Sequence, residues 1–131
     1  MIDYSKIITA EDKFELARQA KLGEINSAFD QAASALTAGY PEAERMTWAT
    51  QQQEALAWAD DENTPTPYLD GLAAARGIPT EEMRQKTLQQ TQLFMQASQQ
   101  LVGKRQKLRD LVYEATTKAE LDAIQWDEPA A

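Results

Sequence analysis

Residues 80–116 read TEEMRQKTLQQTQLFMQASQQLVGKRQKLRDLVYEAT, and their spacing predicts one long helix. Pro79 cannot continue a helix arriving from before it. Glu81 and Glu82 then put negative charge where the first unpaired backbone N–H groups of a new helix point. From there Leu88, Thr91, Met95, Ser98 and Val102 recur at alternating intervals of three and four, and Phe94, Leu101, Leu108, Val112 and Ala115 form a second row beside them. Two adjacent rows make a broad apolar stripe, so this helix is expected to be buried against more than one neighbour. Gly103, flanked by Lys104, Arg105 and Lys107, is a kink, a close-packing point or a weak position in the helix.

The segments on either side read as shorter helices. Thr117-Lys118-Ala119-Glu120 is a capping box, opening a last short helix with Leu121 and Ile124 on its inner side and Trp126 folding back to seal one end. Upstream, Thr66 as N-cap and Pro67 as first helical residue launch a helix through Leu69, Leu72, Ala73 and Arg76; Gly77 closes it and Ile78 supplies the apolar contact of a Schellman end. The run Asp60-Asp61-Glu62-Asn63-Thr64-Pro65 before it is a loop. Its adjacent acids lack the alternation, the Gly and the distal Glu of a calcium loop.

Residues 42–59 predict a helix with Met46, Ala49, Leu56 and Ala59 inward and with Trp48, Ala55 and Trp58 widening its apolar surface. Pro41 is usable as its first residue, after Gly39 in a left-handed stop. The first helix opens at Thr9, with Asp12 as a shorter-armed capping-box partner, and carries the seam Leu22, Ile25, Phe29, Ala32 and Leu36. Phe14 and Ala17 lie off that seam among charges, so the front turns either cover little of the body or project from it as an arm. Residues 1–8 place Ile2, Tyr4, Ile7 and Ile8 between Asp3, Ser5 and Lys6, a partly alternating pattern that suits an extended segment. Two readings of it stand: a loosely packed terminus, or a docking strand that adds to a sheet edge on another protein.

Composition narrows the chemistry. The 131 residues suffice for one domain with a modest core. The chain has neither Cys nor His, which excludes disulfides, thiolate nucleophiles, a Ser-His triad and the usual zinc constellations. A formal net charge of -8 opposes a phosphate-binding surface, and the basic spot at Lys104, Arg105, Lys107 and Arg109 reads as the solvated face of the long helix. Arg76 before Gly77, together with the pair Lys104 and Arg105, could hold an anion, although a cation near a helix C-terminus is already accounted for by the helix dipole. No run approaches the length of a membrane span. The glutamines at 51–53 and along 85–106 give the helices neutral polar faces, soluble without being repulsive, which suits a helix that meets another protein.

An ordered set of motifs carries a resemblance. Tyr40-Pro41, Thr47-Trp48, Pro65-Thr66-Pro67-Tyr68-Leu69, Leu72-Ala73-Ala74-Ala75-Arg76-Gly77-Ile78, Val102-Gly103-Lys104-Arg105-Gln106, Ala115-Thr116-Thr117, Glu120-Leu121 and Ala123-Ile124-Gln125-Trp126 together resemble a family of small helical proteins of tailed phages and prophages. Its members are often encoded beside tail-fibre genes and have no established function or catalytic residues. The opening residues 1–9 are similar to the start of other small tail-region phage proteins. The resemblance implies a virion or tail-assembly role.

The expectation is therefore an all-α protein, a small antiparallel helical bundle organised on one long helix, with residues 1–9 as an extended docking segment, 10–126 as the bundle and 127–131 as a flexible tail. It is expected to act by binding and not as an enzyme, as a tail-fibre assembly factor or chaperone in the host cytoplasm. The alternative is a structural minor component of the virion tail. Ile2, Tyr4, Ile7, Ile8 and Phe14 are the candidate partner-binding residues. The expected partner is a tail-fibre or tail-tip protein, with no nucleic acid, membrane, metal or cofactor, and self-association is left open.

Overall fold

The computed structural model describes residues 9–127. The candidate docking residues Ile2, Tyr4, Ile7 and Ile8 fall outside these, as does most of the expected tail. Every regular element among the described residues is a helix: α1 (Ala10–Thr37), α2 (Glu42–Arg45), α3 (Trp48–Asp60), α4 (Pro67–Arg76), α5 (Thr80–Glu114) and α6 (Lys118–Ala123). None is long and apolar enough to cross a membrane. The chain divides into two compact units, Leu36–Gln99 and the pairing of Met1–Ala35 with Gln100–Ala131, and α5 contributes its residues 80–99 to the first and 100–114 to the second.

In the Leu36–Gln99 unit, Ala55 of α3, Leu69 and Ala73 of α4 and Met83 of α5 form the buried cluster, with Leu72, Ile78 and Leu88 packed against it. Helix α4 closes as expected: Gly77 takes φ 73°, which costs an L side chain but not glycine, and the N–H groups of Ile78 and Gly77 return to the carbonyls of Ala73 (3.0 Å) and Ala74 (3.3 Å). Its N-terminus is built differently from the expectation. Thr66 is the N-cap, yet its hydroxyl makes no capping bond. The backbone N–H groups of Tyr68 and Leu69 instead donate to the two carboxylate oxygens of Glu54 on α3, each at 3.0 Å. The fully buried Thr66 hydroxyl donates to Asp70 Oδ1 at 2.8 Å and accepts from Arg84 Nε at 2.8 Å, and this triad fastens the start of α4 to α5.

The expected single helix over 42–59 is broken. Both the N–H (2.9 Å) and the hydroxyl (2.7 Å) of Thr47 bond to the Glu44 carbonyl, and this tight three-residue closure separates α2 from α3. Pro41 stands at the N-cap, with ψ 145°, and not inside the helix. The inward row is corrected as well. Met46 is 78% exposed, and Ala49, Leu56 and Ala59 are exposed too, while Ala55 and Trp58 are the buried positions. The buried row is displaced by one residue, from Leu56 and Ala59 to Ala55 and Trp58, because Ala55 packs with Leu69 and Ala73 of α4.

In the second unit the cluster is Ile25 of α1, Leu108 and Val112 of α5, Ala115, and Leu121 and Ile124 at α6. Phe14, Ala17, Leu22 and Trp126 pack against it, so the front turns of α1 cover the core and form no projecting arm. The capping box at Thr9 is reciprocal: Asp12 N–H donates to Thr9 Oγ1 at 3.0 Å and Thr9 N–H to Asp12 Oδ2 at 3.3 Å. At α6, Glu120 N–H donates to Thr117 Oγ1 at 3.1 Å, but the Glu120 carboxylate accepts from Thr116 N–H (3.0 Å). That bond takes Thr116 out of α5, which therefore stops at Glu114. Trp126 folds back as expected, edge-to-face with Phe29 at 6.4 Å and beneath the Lys104 ammonium at 4.3 Å.

The stripe along α5 is not buried throughout. Met83, Thr87 and Thr91 are buried in one unit and Leu108 and Val112 in the other, whereas Met95 and Val102, both expected inward, are 38% and 40% exposed.

Candidate functional site

Within the Leu36–Gln99 unit lies an open groove of about 830 Å³, floored by α3, α4 and α5 side chains. Local backbone features set its aromatic wall. Gly39, at φ 87°, turns the chain so that Tyr40 meets Trp48, and the Thr47 turn starts α3 at Trp48. Tyr40 packs edge-to-face on Trp48 (5.1 Å, 80°), and Trp48 in turn on Phe94 of α5 (5.8 Å, 72°). Such perpendicular contacts match the positive ring edge to the negative ring face. Tyr68 and Leu72 of α4 add to the wall, and the amides of Gln51, Gln52, Gln89 and Gln90 line it from α3 and α5.

Two residues lining this groove carry incompletely partnered groups. Thr87 is 6% exposed and its hydroxyl makes no hydrogen bond. Buried hydroxyls are ordinarily paired, because removing one from water without compensation lowers stability by about 1–3 kcal/mol. Arg76, at the end of α4, directs Nη1 to the Met83 sulfur at 3.7 Å, a weak acceptor, and among the described residues no carboxylate pairs with it. Lys86 is paired with Glu82 at 3.7 Å.

Of the expected site residues, Phe14 is half-buried on the core of the other unit, with the Arg18 guanidinium 5.0 Å from its ring centre. The pair Lys104 and Arg105, weighed as an anion site, is spent on aromatic rings: Lys104 on Trp126, and Arg105 at 6.0 Å from Phe29 with a 2.9 Å bond to Asn26. Arg76 is the weighed cation that reaches a cavity. Among the described residues no three His, Cys, Asp or Glu side chains gather as metal ligands. The motif residues Tyr40, Thr47, Trp48, Tyr68, Leu72 and Arg76, dispersed over 37 positions of sequence, are brought to this one groove. Periodicity alone could not find it, since its lining is drawn from the end of α1, from α2, α3, α4 and α5 and from the turns at Tyr40 and Thr47. Its signal in the sequence was the glutamine-rich character of the two helices that wall it. Comparison of the chain with protein-family models, with curated proteins and with solved structures finds no match.

Proposed function

We propose that this chain is a tail-associated binding protein of a tailed phage, acting as an assembly factor for a tail-fibre or tail-tip protein and not as an enzyme. The observation that carries the reading is the groove. Residues from the motifs that resemble the tail-region family meet there, on a surface of aromatic rings, neutral amides and two unspent polar groups. A groove of this kind offers anchors for apolar side chains and partners for backbone amides, which is the chemistry of recognition. In this reading residues 1–8 act as an extended docking segment beside an antiparallel bundle, with Ile2, Tyr4, Ile7 and Ile8 as anchors. The complex shields an apolar surface of the partner in the host cytoplasm until it assembles. Co-expression with tail-fibre and tail-tip proteins of the same genome, followed by affinity capture, tests it; the expected result is a stable complex, and failure to capture fibre or tail-tip protein refutes it. Proteomics of purified particles separates this role from that of a virion component: an assembly factor is absent from the particle, a minor tail protein is present at fixed stoichiometry.

A further inference from the structure

We propose that the groove of the Leu36–Gln99 unit receives an acidic peptide segment of a partner protein, with a carboxylate on the Arg76 guanidinium and the neighbouring apolar side chain against Trp48 and Phe94. This deepens the proposed function and rests on it only in taking the chain to act by binding protein.

Charge is the first argument. The chain carries 21 acidic against 13 basic residues, yet the groove presents Arg76 and Lys86 against Glu44 alone. Lys86 already has Glu82. On so acidic a chain, a guanidinium without a carboxylate is a cation left available, and its planar fork matches a carboxylate with two parallel bonds. The dipole of α4 explains a cation at this position, but it explains nothing about Thr87.

That residue is the second argument. Thr87 sits one turn beyond Met83 on α5, and the Met83 sulfur is the atom that Arg76 touches. Thr87 is one of the residues lining the groove, and its hydroxyl is enclosed and unpartnered. A rotation of the Thr87 side chain that brings this hydroxyl to a carboxylate in the groove would give it the partner it lacks; valine has nearly the same shape and would spare the chain an unpaired polar group.

The third argument is size and surface. About 830 Å³ exceeds what one acidic side chain fills. The Tyr40–Trp48–Phe94 array supplies a rigid aromatic anchor point, and glutamine amides both donate and accept as a peptide backbone requires.

The test is isothermal titration calorimetry of the full chain with the N-acetylated, C-amidated pentapeptide Ala-Leu-Asp-Phe-Ala and with its counterparts bearing Asn or Lys in place of Asp. The Asp peptide is expected to bind about tenfold more tightly than the Asn peptide, and the Lys peptide more weakly than either, as a charge-assisted bond implies. Arg76→Gln, at an exposed position where the fold is retained by circular dichroism, is expected to erase the Asp preference. Thr87→Val is expected to weaken the Asp peptide several-fold while raising the melting temperature of the free chain, an outcome that a purely structural threonine would not give. Equal affinity for Asp and Asn peptides, an undiminished preference in Arg76→Gln, or binding of the Asp peptide no tighter than that of sodium acetate overturns the proposal. Its failure is separable from that of the tail-assembly reading. If Arg76→Gln still captures the fibre protein while the wild-type chain shows no Asp preference, the groove assignment falls and the assembly role stands. If the preference holds but no tail protein is captured, the reverse applies.

Discussion

Glu54 caps a helix to which it does not belong. Its two carboxylate oxygens satisfy the N–H groups of Tyr68 and Leu69, at the positive end of α4. Glu54→Ala should therefore cost about 1–2 kcal/mol in urea unfolding with an unchanged m-value; a loss below about 0.5 kcal/mol would mean that water serves those donors equally well. Trp126 is half-buried on Phe29 and under Lys104. Trp126→Ala should cost about 2–3 kcal/mol, less than a fully enclosed tryptophan, and a change under about 1 kcal/mol would count against its sealing role. At this scale the boxes at Thr9 and Thr117 were legible because the decisive partner lies three residues away. The Glu54 cap was not, because its partners lie 14 and 15 residues away and nothing in the spacing marks them. Thr66 was placed correctly as the N-cap, but its hydroxyl serves Asp70 and Arg84 instead.

At the scale of the element, the helices were read correctly where their ends carry explicit signals, and misread where only periodicity spoke. The Gly77 stop is one such signal. Gly77→Ala, forced to keep φ 73°, should destabilise by about 1 kcal/mol. Gly103 lies within α5 with no heavy atom within 4 Å of where a Cβ would stand, so the weak-position reading fits and no close packing requires the glycine. Gly103→Ala should accordingly stabilise by about 0.5–1 kcal/mol, and thermal melts of the two variants should shift in opposite directions. A loss at Gly103 would point to a role for the glycine outside the folded monomer. In residues 42–59 the sequence offers two rows at helical spacing, and only a neighbour decides between them. Ala55 packs with Leu69 and Ala73 of α4 and Trp58 is buried on the same face of α3, while the Thr47 hydroxyl, silent in a periodicity count, closed a turn and broke the helix. The groove inherits that difficulty, since its walls come from turns and from several helices whose faces had to be known first.

For the molecule as a whole, burial on α5 gathers at Met83–Thr91 in one unit and at Leu108–Val112 in the other, with Leu93, Met95 and Val102 exposed between. Native-state hydrogen exchange should find the amides near 93–102 opening with lower free energy than those of either buried stretch. Uniform protection along α5 would contradict this. Deleting residues 1–8 should leave the melting temperature nearly unchanged while abolishing capture of the proposed tail-fibre or tail-tip partner; a large drop in melting temperature would assign that segment to a core instead. The all-helical class was legible from stripes and caps, but the division into two clusters was not, because the apolar rows run on through Phe94, Met95, Leu101 and Val102 and only the packing of other helices decides which stretch is buried. The distribution of the indoles has a practical consequence. Trp48 and Trp58 belong to Leu36–Gln99 and Trp126 to the other unit, so intrinsic emission is already partitioned between them. With Trp126→Phe the indole emission, excited at the red edge where tyrosine does not absorb, comes from one unit alone, and with Trp48→Phe and Trp58→Phe from the other, so each can be followed optically without a dye.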